Sequence, residues 1–197
     1  MGDDLSMTEG PPPERPAPQT WSGHLLIAGP SLGDPNFDRT IIYLLEHGPE
    51  GALGVVLNRP SEVDVISALP RWSTVAGRPA KVFSGGPVEA GIAIGLVQVR
   101  DPIDCPGWSR VAGHVGTVDL SMDPAAVAAE IETARVFVGY AGWGRGQLDE
   151  ELDVGAWFVI AAERDDLFTD APENLWGAIL RRDAARIAMA AQNPSWN

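Results

Sequence analysis

The sequence predicts an α+β protein built on a mostly antiparallel sheet. That expectation rests on three features of the 197-residue chain. Short runs rich in β-branched residues come in groups, helical patterns interrupt the groups at irregular intervals, and neither a steady strand–helix–strand alternation nor an internal repeat is present.

Residues 1–20, "MGDDLSMTEGPPPERPAPQT", carry five prolines and almost nothing to bury, so they read as a disordered tail before a single domain over 21–197. Pro13 and Pro16 make a PxxP spacing, a chance match in so short a run. Met1-Gly2 with Ser6 fits an acylation pattern, against which Asp3 and Asp4 would repel anionic lipid. "HLLIA" (24–28) is a strand. "TIIYLLE" (40–46) and "ALGVVLN" (52–58) form a hairpin around the turn-rich residues 47–51. "VDVISALP" (63–70) reads as a short helix stopped by Pro70, and "KVFSGGP" (81–87) as a strand ending in a glycine turn. Residues 91–99 and 110–120 are strands flanking a loop at 100–108. Asp123-Pro124 has the signature of a helix start, with "AAVAAEIETA" continuing the helix. A strand at 135–142, a short helix at 146–153 and a strand at 156–163 follow. The last helix spans 172–190, with Trp176, Ile179, Leu180 and Ile187 on one face and Arg181, Arg182 and Arg186 largely off it.

The formal net charge is −13, and the stretch from Trp143 to Leu175 holds nine acidic residues against Arg145 and Arg164. Such a field repels phosphate backbones, so nucleic acid is an unfavoured partner; the Arg181/Arg182/Arg186 helix is the one basic candidate. A single cysteine, Cys105, excludes an intrachain disulfide and suits a reducing cytoplasm. No apolar run approaches the roughly 20 residues of a membrane span, and no secretory leader is evident.

Nucleophile, metal and cofactor signatures are weak. Cys105 lies beside Asp104 in a loop, an unfavourable setting for a thiolate. His24, His47 and His114 are far apart, and Glu46 and His47, adjacent on a strand, point to opposite faces, so no metal site is expected. "GWGRGQ" (142–147) lacks the spacing of a phosphate loop, and Asp149, Glu150 and Glu151 already occupy the positive field at the start of the next helix, so no cofactor is expected there. The three glycines instead suit a tight strand-to-helix corner, packed by Trp143, Leu148 and Leu152. What remains is a set of polar side chains: Asp34, Arg39, Glu46, His47, Asn58, Arg59, Gln147 and Glu151. The plainer reading pairs Arg39 and Arg59 with Glu46 or Glu151 as structural ion pairs.

Together, "GHLLIAGPSLGDPNFDRTIIYLLEHGPEGALGVVLNRP" (23–60), "VFSGGPVE" (82–89), "YAGWGRGQLDEEL" (140–152), the Trp157 strand and "FTDAPENLWGAIL" (168–180) resemble the YqgE/AlgH family of bacterial proteins. The resemblance implies an α+β fold with a branched sheet, part of which closes into a small barrel, and a cytoplasmic protein. It implies no reaction, although some members carry a transcriptional-regulator label. The family's recurrent positions fall here on Asp34, Arg39, Glu46, His47, Asn58, Arg59, Gly85, Gly86, Trp143, Gln147 and Glu151. Many relatives follow the "GGPV" block with Arg-Gly-Phe and a histidine. Here "EAGIAIGLV" (89–97) has neither arginine nor histidine, so a reaction needing them would be lost.

The preferred expectation is a non-catalytic binding or regulatory protein acting through the 46–59 hairpin end and the 143–151 corner, with a protein partner. One alternative is a small-molecule hydrolase using Glu46 or His47 as base and Arg39 or Arg59 as anion holder, which requires Glu46, His47 and Arg59 to line one pocket. The other is a DNA-binding regulator.

Overall fold

The computed structural model describes residues 20–29, 32–101 and 107–192. Cys105, the PxxP spacing and the acylation pattern lie outside the described residues. Ten strands join into one sheet: β1 (His24–Ala28), β2 (Ile41–Gly48), β3 (Gly51–Val56), β4 (Pro60–Asp64), β5 (Lys81–Ser84), β6 (Val88–Val99), β7 (Trp108–Ala112), β8 (Val115–Val118), β9 (Ile131–Trp143) and β10 (Trp157–Ala161). The helices are short: α1 (Val65–Ala68), α2 (Gln147–Asp153), α3 (Arg164–Leu167), α4 (Leu175–Arg182) and α5 (Ala184–Gln192).

The sheet runs β10-β1-β2-β3-β9-β6-β8-β7, with β4 and β5 off this path. Strand β9 is its spine. It pairs antiparallel with β6 over most of its length and with β3 at Ala141–Trp143, and parallel with β5 at Val136–Val138. The branch point is where β5 ends against β9. The Gly85 N–H donates to the Val138 carbonyl, while the Gly85 carbonyl accepts from Val56 of β3. A Cβ at Gly85 would lie 2.2 Å from the Gly139 oxygen, and one at Gly86, where φ is 155°, 2.2 Å from the Tyr140 carbonyl carbon. The two glycines therefore let one backbone lie directly on another.

The sheet curls without closing. Its edges lie 11 Å apart, more than twice the ~4.8 Å spacing of paired strands, so the small closed barrel implied by the family resemblance is absent. Near the opening Gly23 abuts Ala112, where an added Cβ would come within 2.5 Å of the alanine Cβ. That is a packing contact and not a ladder. Helical side chains complete the enclosed core: Leu167, Leu175 and Ile179 join Leu25, Ile27, Tyr43, Val55, Phe83 and Phe137.

Other expectations are corrected locally. Asp123 does cap Ala125, but the helix ends after one 3-10 turn, Pro124–Ala126. From Ile131 the chain pairs with β6, Ile131 opposite Val99 and Ala134 opposite Val97, so ladder and burial override alanine's helix propensity. The expected strand at 110–120 is a hairpin, β7–β8, turning at Gly113-His114. The 63–70 helix is reduced to α1, its first residues belonging to β4. The final helix breaks at Asp183 into α4 and α5. None of the helices among the described residues is long and apolar enough to cross a membrane.

Candidate functional site

The corner between β9 and α2 is built around one carboxylate. Gly146 holds φ at 70° and starts α2, whose Leu148 and Leu152 are buried. This faces Gln147 and Glu151 toward β9 and β10. The Glu151 Oε2 accepts from the indole N–H of Trp143 at 2.9 Å and of Trp157 at 2.7 Å. Its Oε1 accepts from the Gln147 side-chain amide at 2.8 Å, and the Gln147 Oε1 accepts from the Gly144 N–H at 3.0 Å. The two indoles meet edge to face at 5.8 Å, and Phe37 packs edge-on to Trp157 at 5.4 Å. A carboxylate accepting three N–H groups is held by charge-assisted bonds on both oxygens, which fits an anchor better than a proton carrier.

Two clefts flank this corner. One, of about 430 Å³, is lined by Asp34, Phe37, Val88, Trp143, Gln147 and Glu151, among others. The second, of about 500 Å³, lies toward the β2–β3 turn and includes Glu46, Glu50, Leu53, Val88, Tyr140 and Trp143. They share Val88, Gly142 and Trp143, and no lysine or arginine lines either one. Glu46 and Leu53 also line a third cleft, of about 490 Å³, with Ser109, Arg110 and Thr117 on its far side. Arg145 pairs with Glu50 through both carboxylate oxygens, but both side chains are largely exposed. Asp34 caps the 3-10 turn Pro35–Phe37 by accepting from Asn36 at 2.8 Å.

The remaining predicted residues do not join this group. His47 is buried on the face opposite the exposed Glu46. Its Nδ1 accepts from the Trp21 N–H at 3.2 Å, and its Nε2 faces Asp149 Oδ1 at 3.3 Å. An imidazole accepting at Nδ1 carries its proton at Nε2, so neither nitrogen is free to act as a base. Asn58 accepts from the Ile41 N–H and donates to the Arg39 carbonyl, fixing Arg39 at φ 52° before β2. The Arg39 guanidinium stands 5.6 Å from the Trp176 ring, and Arg59 reaches the Asp38 carbonyl at 3.5 Å. Neither arginine pairs with Glu46 or Glu151, which corrects the ion-pair expectation, and Arg39, His47, Asn58 and Arg59 line none of the three clefts. None of these clefts brings together the Glu46, His47 and Arg59 that the hydrolase reading requires.

Sequence reasoning missed Arg135. It is buried in β9, its Nη1 donating to the Leu167 carbonyl and its Nη2 to those of Arg78 and Thr169. The guanidinium lies 4.4 Å from the Phe83 ring centre. Burial lowers its pKa to about 10, partly offset by Asp170, so it is still a cation at neutral pH. The available signal was strand alternation, which puts residue 135 on the face of Phe137.

Comparisons with known proteins agree with this architecture. Residues 25–188 match the model of the AlgH-like family, DUF179. A UPF0301 protein of Streptomyces avermitilis is 46% identical over 177 residues, covering 88% of this chain and 92% of that protein. One from Mycobacterium avium is 41% identical over 194 residues, covering 93% and 96%. The crystal structure of a Corynebacterium diphtheriae protein superposes with a TM-score of 0.77 at 30% identity, covering 86% of this chain and 89% of that one. The solution structure of the AlgH protein from Pseudomonas aeruginosa does so with a TM-score of 0.66 at 32% identity, covering 86% and 92%. With the match spanning nearly the whole sheet and every part of the corner, the chain belongs to the bacterial YqgE/AlgH family.

Proposed function

We infer that the protein is a non-catalytic binding protein of the cytoplasm whose partner presents a basic segment to the two joined clefts at the β9–α2 corner. One observation carries this reading: Asp34, Glu46, Glu50 and Glu151 line adjoining clefts, only Glu50 among them being paired with an arginine, Arg145 outside the lining, on a chain of net charge −13. Complementary charge gives such a surface speed and selectivity of encounter. The corner supports a binding role over turnover because Glu151 is engaged by two indoles and an amide, and both nitrogens of His47 are occupied. DNA binding has less support. Of the three arginines considered for it, Arg182 is engaged by Asp166, Glu163 and Asp183, and Arg186 lies on a different helix from Arg181.

The test is titration of the full-length protein with a short arginine- and lysine-rich peptide, followed by calorimetry. Saturable binding, weakened severalfold by the double change Glu46→Gln and Glu50→Gln, is the expected result. Absence of saturable binding, or equal affinity for the double variant, would sink the reading.

A further inference from the structure

We propose a second binding site, for a neutral amide group, in the cleft between the β6–β9 ladder and the 164–170 segment. This cleft has a volume of about 310 Å³ and is lined by Gln98, Thr133, Arg78, Glu132, Phe168 and Asp170, among others. It shares no residue with the corner clefts.

Two buried polar atoms lack partners here, one on Gln98 in the cleft lining and one on Arg135, which lies behind the lining with its Nη2 bonded to the Arg78 and Thr169 carbonyls. Gln98 lines the cleft with only 9% of its surface exposed, and its Oε1 has no hydrogen-bond partner. Arg135 is 2% exposed, and its Nε–H likewise lacks an acceptor, although both Nη atoms are used. Leu96 stands opposite Arg135 and Gln98 opposite Thr133, so Gln98 and Arg135 are diagonal neighbours on one face of the ladder. One is an acceptor and the other a donor, yet they do not bond to each other.

The chemistry of the pair selects what fits between them. The group must donate to Gln98 and accept from Arg135. An ammonium would donate, but it would add a second positive charge beside a buried guanidinium. A carboxylate would accept from Arg135, but its lone pairs would oppose Gln98 Oε1. A primary amide or a lactam carries N–H and C=O side by side on one edge and satisfies both atoms without burying new charge. Phe168 supplies an apolar wall for the rest of the ligand.

The experiment is a nitrogen-15 NMR titration of the full-length protein with 2-pyrrolidinone, a cyclic amide with both groups on one edge. Pyrrolidine and acetate serve as cationic and anionic controls. The Gln98 side-chain amide and Arg135 Nε–Hε signals should shift saturably with 2-pyrrolidinone. Affinity should fall roughly tenfold or more for the controls and for Gln98→Leu, as expected for loss of a buried polar contact. Should Gln98→Leu fail to fold, Gln98→Met keeps the length of the side chain without its acceptor and should weaken binding to the same extent. The proposal is overturned by no saturable shift at either group, or by unchanged affinity in the variant that folds. It is equally overturned by magnetisation transfer from both groups to a trapped water that 2-pyrrolidinone does not displace.

Discussion

At the scale of single residues, Glu151 organises the corner. Its carboxylate joins two strands to one helix, because Trp143 is on β9, Trp157 on β10 and Gln147 one turn earlier on α2. Hydrogen bonds to a charged acceptor contribute more than neutral ones. Glu151→Ala strands two largely buried indole N–H groups and should cost about 3 kcal/mol, while Glu151→Gln, which keeps one acceptor oxygen, should cost about half as much. Urea denaturation of the two variants checks both the direction and the order. The glycine corner, Trp143 packing across it and the burial of Leu148 and Leu152 were legible in the sequence, because each follows from local spacing. What Gln147 and Glu151 face was not, because the indoles of Trp143 and Trp157 that bond Glu151 are brought together only when β9 and β10 take their places around α2. Arg135 escaped for a related reason: its partners are backbone carbonyls of residues 78, 167 and 169, which no side-chain pattern advertises.

At the scale of elements, the fold depends on the place where β5, β3 and β9 meet. Gly85 and Gly86 lie on the β9 backbone, and Gly139, at φ 70°, comes close enough that a Cβ would sit 2.5 Å from the Gly86 oxygen. No side chain can yield there, since the colliding atoms are main chain. Gly86→Ala should therefore destabilise the protein by more than about 3 kcal/mol, beyond the usual cost of a surface substitution. Gly33→Ala, where nothing lies within 4 Å of the added methyl, should be close to neutral. Comparing melting temperatures of the two variants tests the point. The strands of the β2–β3 hairpin were readable because both flanks are strongly apolar and the turn residues are distinctive. The Asp123-Pro124 segment misled because a capping signal is a local preference, whereas pairing of Ile131 and Ala134 with β6 is a tertiary gain that outweighs it.

At the scale of the whole molecule, charge governs which partners approach. A net charge of −13, with no basic residue lining the corner clefts, predicts that duplex DNA of mixed sequence is not retained at physiological salt. A gel-shift series down to low salt measures this. Retention lost in an Arg181/Arg182/Arg186 triple alanine variant would reverse the expectation. Composition, net charge, the antiparallel α+β character and family membership were determined by the sequence alone, because they depend on residue content, periodicity and ordered motifs. Only the tertiary structure decided that the curled sheet stays open and that Asp34 shares a cleft with Glu151. Those outcomes depend on where strands distant in sequence come to rest. In this fold that involves backbone contacts at Gly85, Gly86 and Gly139 and helical side chains that join the core, neither of which leaves a period in the sequence.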